Sequence, residues 1–542
     1  MGVRDWFFSC LVVGGVVALG VNLMPPARTK PLDRAAVTAP DDHLKETVES
    51  INANLRAEWA KASLSAAPPA NDLQVARRLS LALMGTVPSL EEIRQFESLP
   101  ESERLDWWLE HVLRDRRSAD FLAERVARAV VGTEDGPFLL YRRRRFVTWL
   151  GDELAKNTPY DQVVREMIAG NGLWTDHPST NFITVTSRPE EGNQPDPIRL
   201  AGRVTRAFLG LRLDCAQCHD HPFASWTQDH FEGFAAYFGQ ARLGFKGIQD
   251  GDGQFELEDR KTKEKRVVPP GVPFGSELLP NHGSRRERLA VWVTHPKNPY
   301  FARATANRAW AILFGRPLIA PVDNLEPQGV SPDKEKTLAD QLLDILADDF
   351  RRHGHDLRRL FRVIAATEAF RRDSAADFDV TDAHERAWAV FPLSRLRPEQ
   401  VVGAMLQSAS IATIDAESHI VTRLMRYGQT NDFLKAYGDT GDDEFDDRGG
   451  TIPQRLVLMN GDLVRERTKD GILNASSRIA SIAPSDAKAI ELAYLCVLGR
   501  RPTSNETEHF TARLADTERT RGQRLEDLYW TLLNSTEFSW NH

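Results

Sequence analysis

Residues 77–96 read RRLSLALMGTVPSLEEIRQF, and this stretch predicts two helices joined by a tight turn. Leu79 and Leu83 are four residues apart and give the first helix an apolar face. Gly85 is placed to end that helix, because glycine readily adopts the left-handed conformation found at many helix ends. Ser89 begins an S-x-x-E capping box, which predicts the start of the second helix. The stretch therefore predicts a helical hairpin.

The same order of residue types recurs near the carboxyl end of the chain. Leu81, Gly85, Pro88, Glu92 and Phe96 correspond in spacing to Leu495, Gly499, Pro502, Glu506 and Phe510. In both places a helix, a glycine, a proline turn and a capped helix follow one another. We interpret the repeat as a recurring helical hairpin with a role in packing.

Helical periodicity extends over two long parts of the chain, residues 71–241 and 285–542. Residues 242–284 between them are rich in glycine, proline and charge, and the pattern around Asp250 and Gly251 predicts a small β-hairpin insertion. The predicted fold class is therefore mainly α. It comprises two helical domains, the irregular β-containing insertion between them, and an N-terminal apolar helix.

The composition is that of a globular protein, with 41% hydrophobic and 27% charged residues. The chain has 69 basic and 77 acidic residues, which gives a formal net charge of −8 with both signs interspersed. This balance argues against nucleic-acid binding, and the basic run at 142–145 is typical of a solvated helix face. No G-x-S-x-G, P-loop or H-E-x-x-H motif is present in the sequence. No catalytic residue is assigned from the sequence.

Residues 1–24 indicate export. Trp6–Met24 contains no charged side chain and is about as long as a helix that spans a bilayer, so it fits either a membrane anchor or a cleaved signal peptide. The more basic flank of a membrane span tends to stay in the cytoplasm, and three basic residues follow this segment between positions 28 and 34. They argue against an uncleaved anchor that places the rest of the chain outside the cytoplasm. Cleavage of the segment as a signal peptide removes this conflict. Residues 25–70 are predicted to be a linker. We expect the protein on the periplasmic side of the cell envelope, either membrane-anchored or secreted.

Residues 215–219 read CAQCH and carry the most specific chemical signal in the chain. Cys215 and Cys218 can each add to one vinyl group of a haem, and His219 is then placed to bind the iron from the same side. With only four cysteines in the chain, chance is a poor explanation for this pattern. We therefore predict a c-type haem as the cofactor, with His219 as the proximal ligand of its iron.

Two helices are predicted to flank the CxxCH motif. Asp196 and Pro197 have the residue types of a helix start, and the apolar face that follows delivers Cys215 near the carboxyl end of that helix. Thr227 is placed to cap the next helix. The loop between them supplies His221 and two aromatic residues, the apolar material that a porphyrin edge needs.

The distal side of the iron has several candidate ligands. His221 is only two residues from His219, so it should not reach the opposite face of the haem. His230 is a candidate distal ligand, and the other candidates are His177, Met167 and His295. A five-coordinate iron is the remaining alternative, which suits substrate or peroxide chemistry better than electron transfer.

Two other interpretations of the motif remain open from the residues alone. Cys215, Cys218 and His219 could form a zinc site with either His221 or His230 as the fourth ligand, which would favour a metal-dependent hydrolase. The two cysteines could instead form a structural disulfide, which would favour a non-redox binding or scaffold protein of the envelope.

Two further segments could carry function. Arg303 and Asn307 share a helical face and could bind an acidic group or a sugar, but hydrogen bonds to the turn at 315–324 are the favoured interpretation. Asp439–Asp447 is dense in carboxylates without the spacing of an EF-hand, which favours an exposed acidic loop over a calcium site.

The motifs together resemble a known pair of domains. CAQCHDHPF at 215–223 and the hairpin at 77–96 resemble the planctomycete cytochrome-like domain of unknown function. Residues 288–325 are similar to the start of a second domain of unknown function that usually follows it. Residues 395–400 and 451–460 are similar to later landmarks of that second domain.

The resemblance covers roughly residues 71–540 and implies an exported, mostly helical bacterial protein that works beside other exported enzymes. With the predicted haem, an exported redox partner is the other expected kind of partner. It implies no established activity. Pro222 and Phe223 stand where many relatives have a Lys-Tyr pair, so the motif loop departs from the common pattern at this point.

Overall fold

The computed structural model describes the following residues: 41–132, 143–221, 224–258, 263–325, 336–415, 418, 420–438, 445, 450–471, 474–515 and 518–542. These residues form a mainly α-helical structure, as predicted. The predicted apolar helix at Trp6–Met24 lies outside them, as does most of the acidic segment Asp439–Asp447. No helix within the described part of the chain is both long and apolar enough to cross a bilayer.

The helices of the first half are as follows: α1 Asp42–Lys61, α2 Asp72–Met84, α3 Leu90–Glu97, α4 Glu101–Arg114, α5 Arg116–Val131, α6 Arg143–Ala155, α7 Tyr160–Ala169, α8 Asn181–Thr184, α9 Pro197–Val204 and α10 Gln228–Ala235. The helices of the second half are α11 Arg285–Val293, α12 Phe301–Phe314, α13 Leu338–Arg352, α14 Leu357–Ala366, α15 Glu368–Arg371, α16 Asp382–Arg386, α17 Pro398–Ser408, α18 Ile420–Tyr437, α19 Ile452–Asn460, α20 Asp462–Thr468, α21 Ala475–Ile482, α22 Asp486–Leu498, α23 Ser504–Leu514 and α24 Arg521–Leu533.

The strands are short and pair as two-stranded antiparallel sheets. β1 Ser187–Arg188 pairs with β2 Gln194–Pro195, β3 Ala241–Gly244 with β4 Gly247–Asp250, β5 Phe255–Glu258 with β6 Lys265–Val268, and β7 Ser394–Arg395 with β8 Trp540–Asn541. The insertion at 242–284 therefore contains β-hairpins, as the alternating sequence predicts. Asp250 is the last residue of β4 and Gly251 begins the connection to β5, so neither lies in the turn of a hairpin.

The hairpin at 77–96 forms as predicted. Gly85 ends α2 in the left-handed conformation with φ +65°, and Ser89 and Glu92 form both bonds of the capping box. Its counterpart near the carboxyl end has the same construction, with Gly499 at φ +67° and a capping box begun by Thr503. Both hairpins contribute buried residues to one hydrophobic cluster, although Leu79, Leu83 and Phe96 of the first hairpin lie in the other. The sequence repeat therefore corresponds to two copies of one local structure that share part of a core.

The predicted linker is corrected over residues 42–61. These residues form α1, and Ile51, Leu55 and Trp59 on one face of it are buried against α13, α14 and α15. The indole Nε1 of Trp59 donates a hydrogen bond of 2.8 Å to the carbonyl of Ala387. The prediction was wrong here because the flanking Pro and Ala residues suggested a tether, while the spacing of the three apolar residues provided a packing face.

The hydrophobic clusters do not separate at the predicted boundary between residues 284 and 285. One cluster joins the first half of the chain to buried residues between Leu289 and Phe391. The other joins α2 and α3 to buried residues between Leu396 and Phe538. Each of the two predicted domains therefore contributes side chains to both cores.

Buried arginines of α2 connect it to the carboxyl terminus. Arg78 is fully buried, and its guanidinium donates to the carbonyl of His542 at 2.7 Å and to that of Phe370 at 3.0 Å. Arg77 donates to the carbonyl of Trp540 at 3.2 Å. Burial lowers the pKa of Arg77 to about 10 and that of Arg78 to about 9. These two side chains satisfy backbone carbonyls that lie more than 290 residues away along the chain.

Candidate functional site

The CxxCH motif follows a helix that changes its form before it ends. Asp196 caps α9 by accepting from the backbone N–H groups of Ile198 and Arg199. After Val204 the chain continues as a π-helical turn over Thr205–Leu209, a type of turn that is often found at functional sites. Gly210 then ends the helix at φ +61°, and a Cβ at this position would lie 3.0 Å from Leu325. The glycine therefore permits close packing against the second half of the chain.

A short 3₁₀ helix at Leu213–Ala216 presents the first cysteine to solvent. Leu213 and Ala216 are three residues apart, so they lie on the same side of this helix, and both are fully buried. Cys215 and Cys218 are exposed. Both cysteines are free thiols, so the structure does not contain the disulfide of the scaffold interpretation.

The loop after the motif is closed against the start of α10. The carboxylate of Asp220 accepts from the backbone N–H of Gln228 at 2.9 Å, where the positive end of the helix dipole also favours a negative charge. The N–H of His221 donates to the carbonyl of Trp226 at 2.8 Å. The side-chain amide of Gln228 donates to the carbonyl of Gln217 at 3.3 Å. These bonds hold the described ends of the loop in place.

His219 is exposed, and the hydrogen bond of one ring nitrogen selects its neutral tautomer. Its Nδ1 lies 2.7 Å from the backbone carbonyl oxygen of Asp220. Because a carbonyl oxygen only accepts, Nδ1 must carry the proton and donate. The neutral ring then has its lone pair on Nε2, the arrangement that metal-bound histidines commonly use. His219 is therefore held in the tautomer that can bind iron through Nε2.

His230 has the opposite arrangement. Its Nδ1 accepts from the backbone N–H of Thr227 at 3.2 Å, and the Thr227 hydroxyl accepts from the N–H of His230 at 3.3 Å. The two residues form a capping box at the start of α10. Since Nδ1 accepts, the neutral ring carries its proton on Nε2, which therefore has no lone pair for a metal. Binding iron through this atom would require the cap to break.

The other three candidate distal ligands are Met167, His295 and His177. Met167 is fully buried in the first hydrophobic cluster. His295 accepts the N–H of Lys297 on Nδ1 at 3.1 Å, and burial, Lys297 and Arg165 lower its pKa. His177 is exposed and packs against Gly172.

The zinc interpretation requires ligand atoms that are closer together than those of the motif. Four ligands at about 2.3 Å from a tetrahedral ion lie about 3.7 Å from one another. Cys215, Cys218 and His219 do not form a group with His221 or His230 in which three ligand atoms lie within 4.8 Å of one another. Within the described ranges the group that meets this criterion is Glu92, His111 and Asp115, far along the chain from the motif.

That second group is held together by an arginine. Arg117 lies between the carboxylates of Glu92 and Asp115, and it bonds Asp115 at 2.7 Å. His111 Nε2 lies 3.2 Å from Glu92. Burial would raise the pKa of Glu92, but Arg117 and His111 hold it well below its usual value. The guanidinium thus provides the positive charge that these carboxylates need, and we interpret the group as a structural ion network.

Ion pairs connect the motif to the second half of the chain. Arg206, in the π-helical turn, bonds the carboxylate of Asp214 at 2.8 Å and that of Asp323 at 3.1 Å. Arg212 bonds the same Asp323 at 2.8 Å. Burial would lower the pKa of Arg206, but Asp214 and Asp323 raise it. The guanidinium of Arg206 therefore links Asp214, the residue before Cys215, to Asp323 in the second half of the chain.

Aromatic side chains pack around Trp226, in the loop that follows the CxxCH motif. Trp226 is buried, and its ring centroid lies 6.3 Å from that of Phe274 and 6.4 Å from that of Tyr300. Phe274 also packs on Trp292 at 4.7 Å. The insertion and the second half of the chain thus both contribute to the base of the site. Phe223, expected to join this apolar material, lies outside the described residues.

The helix α12 uses its polar residues as structural ties. Asn307 donates to the carbonyl of Ile319 at 2.8 Å and accepts from its N–H at 3.0 Å, which confirms the predicted bonds to the turn at 315–324. Arg303 instead bonds Asp340 and Asp344 on α13. Neither residue lies in an assembled ligand site.

The sequence comparison identifies both halves of the chain. Residues 50–242 match PSCyt2, described as a protein of unknown function (DUF1549). Residues 285–514 match PSD1, also described as a protein of unknown function (DUF1553). The resemblance drawn from the motifs is confirmed for both domains and for their order. No curated protein and no solved structure matches the chain.

Proposed function

Because the chain belongs to the family in which a PSCyt2 domain precedes a PSD1 domain, both of unknown function, we propose its function from the geometry of its own CxxCH loop. The protein is an exported c-type haem protein that transfers electrons in the cell envelope. Cys215 and Cys218 would hold the porphyrin by thioether bonds, and His219 would bind the iron through Nε2. When bound, the haem supplies a one-electron redox centre.

The observation that carries this proposal is the hydrogen bond from His219 Nδ1 to the carbonyl of Asp220. It leaves Nε2 as an acceptor on an exposed ring, next to two exposed thiols on the same short segment. Asp220 acts as a positioning residue, because its carboxylate is bound to the start of α10 while its carbonyl orients the imidazole. The residues present therefore fit a covalently attached haem.

Exposure of the motif favours electron transfer over haem-dependent oxidation. An oxidation site needs a cavity that keeps water away from a bound substrate. Cys215, Cys218 and His219 all lie at the surface, where an attached haem would have an edge open to a redox partner. We propose that this partner is another exported protein, and that Trp6–Met24 brings the chain to the periplasmic side of the membrane as an anchor or a cleaved signal.

The test is expression of the full chain with the c-type maturation machinery of a bacterial host. The expected result is a red protein whose haem stays with the polypeptide after acid-acetone extraction. Cys215→Ser or Cys218→Ser should leave one thioether, and the double variant should lose covalent haem. Cys496→Ser is the matched control, since this third described cysteine is buried in the second hydrophobic cluster, whereas residues of the motif segment pack in the first, and its replacement should leave haem content unchanged.

His219→Ala separates attachment from ligation. This variant keeps both thiols, so covalent haem should remain while the Soret and α bands change. Reversible one-electron reduction of the wild-type protein is expected in a redox titration. A colourless wild-type protein that contains stoichiometric zinc would instead support the hydrolase, and one with neither haem nor metal would support the scaffold. Either result would refute the proposed function.

A further inference from the structure

A cavity of about 480 Å³ lies between α1 and α13. Two of its lining residues are histidines, His43 in the first turn of α1 and His353 directly after the last residue of α13. The other titratable residues that line it are Glu46, Asp348, Asp349 and Arg352. The cavity therefore brings imidazole rings and carboxylates together from two helices that are distant in the sequence.

The two imidazole rings lie close together on the walls of this cavity. Their ring centroids are 6.3 Å apart, with an angle of 54° between the ring planes. Zinc–nitrogen bonds of about 2.0–2.1 Å place the centroids of two imidazoles on one ion about 5–6 Å apart. The side chain of His43 is 80% exposed, so it can rotate to close a difference of this size.

The hydrogen bond of His353 selects a neutral tautomer that can bind a metal. Its Nδ1 lies 2.8 Å from the backbone carbonyl oxygen of Asp349. Because that oxygen only accepts, Nδ1 carries the proton and the lone pair of the neutral ring is on Nε2. Within the described residues this Nε2 has no hydrogen bond and no ion pair.

His43 has a similar arrangement. Its Nδ1 lies 3.5 Å from the carboxylate of Glu46, which favours a proton on Nδ1 and leaves the lone pair of the neutral ring on Nε2. Histidines that bind metals usually direct their other ring N–H at a carboxylate or a backbone carbonyl. His43 and His353 each have one of these two partners, so both rings are prepared to bind through Nε2.

The carboxylates of the cavity differ in how far they are neutralised. Asp349 is bonded by Arg359 at 2.9 Å, and Asp348 pairs with arginines of its own helix. Glu46 pairs only with His43 among the described residues. A cation bound beside His43 would therefore meet a negative charge that no guanidinium already balances.

We propose that His43 and His353 bind a divalent transition-metal ion, zinc, through their Nε2 atoms. Water fills the other coordination positions, so this site does not need the converging protein ligands of a closed zinc site. Imidazole ligands suit zinc, copper and nickel, whereas magnesium and calcium prefer oxygen. The ion would join α1 to α13 and so strengthen the packing of α1 on the rest of the chain. This site shares no residue with the CxxCH motif and does not rest on the proposed function.

The experiment is calorimetric titration with zinc of the full chain that carries Cys215→Ser and Cys218→Ser. Zinc bound by this variant cannot be held by the motif thiols. Saturable binding is expected, and excess magnesium should not compete. His43→Ala should weaken zinc binding by about tenfold or more, since loss of an outer-shell partner alone has an effect of that size. His282→Ala is the matched control, because His282 is exposed and does not line the cavity.

Two further measurements keep the result decisive. Zinc should raise the midpoint of thermal unfolding because it binds the folded chain, and this rise should be absent in His43→Ala. His353→Asn retains an N–H group for the bond to the carbonyl of Asp349 but has no counterpart of Nε2. It should therefore fold, as judged by circular dichroism, and still lose zinc binding.

Three results would overturn the inference. These are no saturable zinc binding by the chain with both motif cysteines replaced, unchanged zinc affinity in the variants at positions 43 and 353, and an equal loss of affinity in His282→Ala. Failure of haem attachment would leave this titration unaffected, because the titrated chain carries no haem. The fate of this inference is therefore distinguishable from that of the proposed function.

Discussion

Replacing Asp323 by asparagine tests whether ion pairs hold the CxxCH segment against the second half of the chain. Asp323 accepts from Arg206 at 3.1 Å and from Arg212 at 2.8 Å, with its own side chain 21% exposed. Loss of one partner from a buried pair costs about 3–5 kcal/mol, and exposed pairs contribute about 0.2–1 kcal/mol. Both guanidiniums are more than one-third exposed and are screened accordingly. We therefore expect Asp323→Asn to lower the free energy of unfolding by about 1–2 kcal/mol.

The assay is urea denaturation followed by circular dichroism, with Asp527→Asn as the control. Asp527 pairs with Arg519 at 2.6 Å, but both side chains are more than half exposed, so this variant should lose less than about 0.5 kcal/mol. A double-mutant cycle of Asp323→Asn with Arg212→Gln should give a coupling energy of about 1 kcal/mol. The reasoning is refuted if the two asparagine variants lose equal stability, or if that coupling is indistinguishable from zero.

Three further results are expected. Glu92→Gln should cost about 2 kcal/mol in urea denaturation, because it removes the charge of one of the two carboxylates that pair with the buried Arg117; a loss below about 1 kcal/mol would contradict this. Arg500 lowers the pKa of Glu506 and of Glu537 to about 2 each, so their stabilisation is present above about pH 4.5 and is lost as the pH falls toward 2. In Arg500→Gln the acid-induced loss of stability measured over that interval should be smaller. The fragment 41–284, expressed alone, should show no cooperative thermal unfolding, because its core is completed by later residues; a sharp transition would refute the shared core.

Local signals made most of the fold predictable. Ser89 with Glu92, Asp196 and Thr227 are caps in the structure because their side chains bond backbone groups only two or three residues away. The partners in these bonds are only two or three residues apart, so their spacing can be read from the sequence. The position of α1 could not be predicted in this way, since its apolar face is buried by helices about 300 residues further along the chain.

The same distinction applies to the candidate site. The two cysteines and His219 are adjacent in sequence, so their chemistry could be predicted from the motif alone. Arg206 and Asp323 are 117 residues apart, and no sequence period connects them. This ion-pair network was missed for that reason, because only the tertiary structure brings residues 206, 212 and 323 together.

His219 and His230 show that the hydrogen bond made by Nδ1 determines which role each histidine can take. His219 donates from Nδ1 to a carbonyl, whereas His230 accepts at Nδ1 from a backbone N–H. The first bond is compatible with iron on Nε2 and the second is not, because a neutral imidazole carries one proton. Thr227 and His230 have the spacing of a capping box, but His230 stands where the motif has Glu or Gln, so the sequence indicated the Thr227 cap without the role of His230. A distal ligand taken from His230 would have to give up the bond from Thr227 N–H, one of the two bonds of the capping box at the start of α10. Distal ligation by His230 would therefore weaken the start of the helix that also bonds the carboxylate of Asp220.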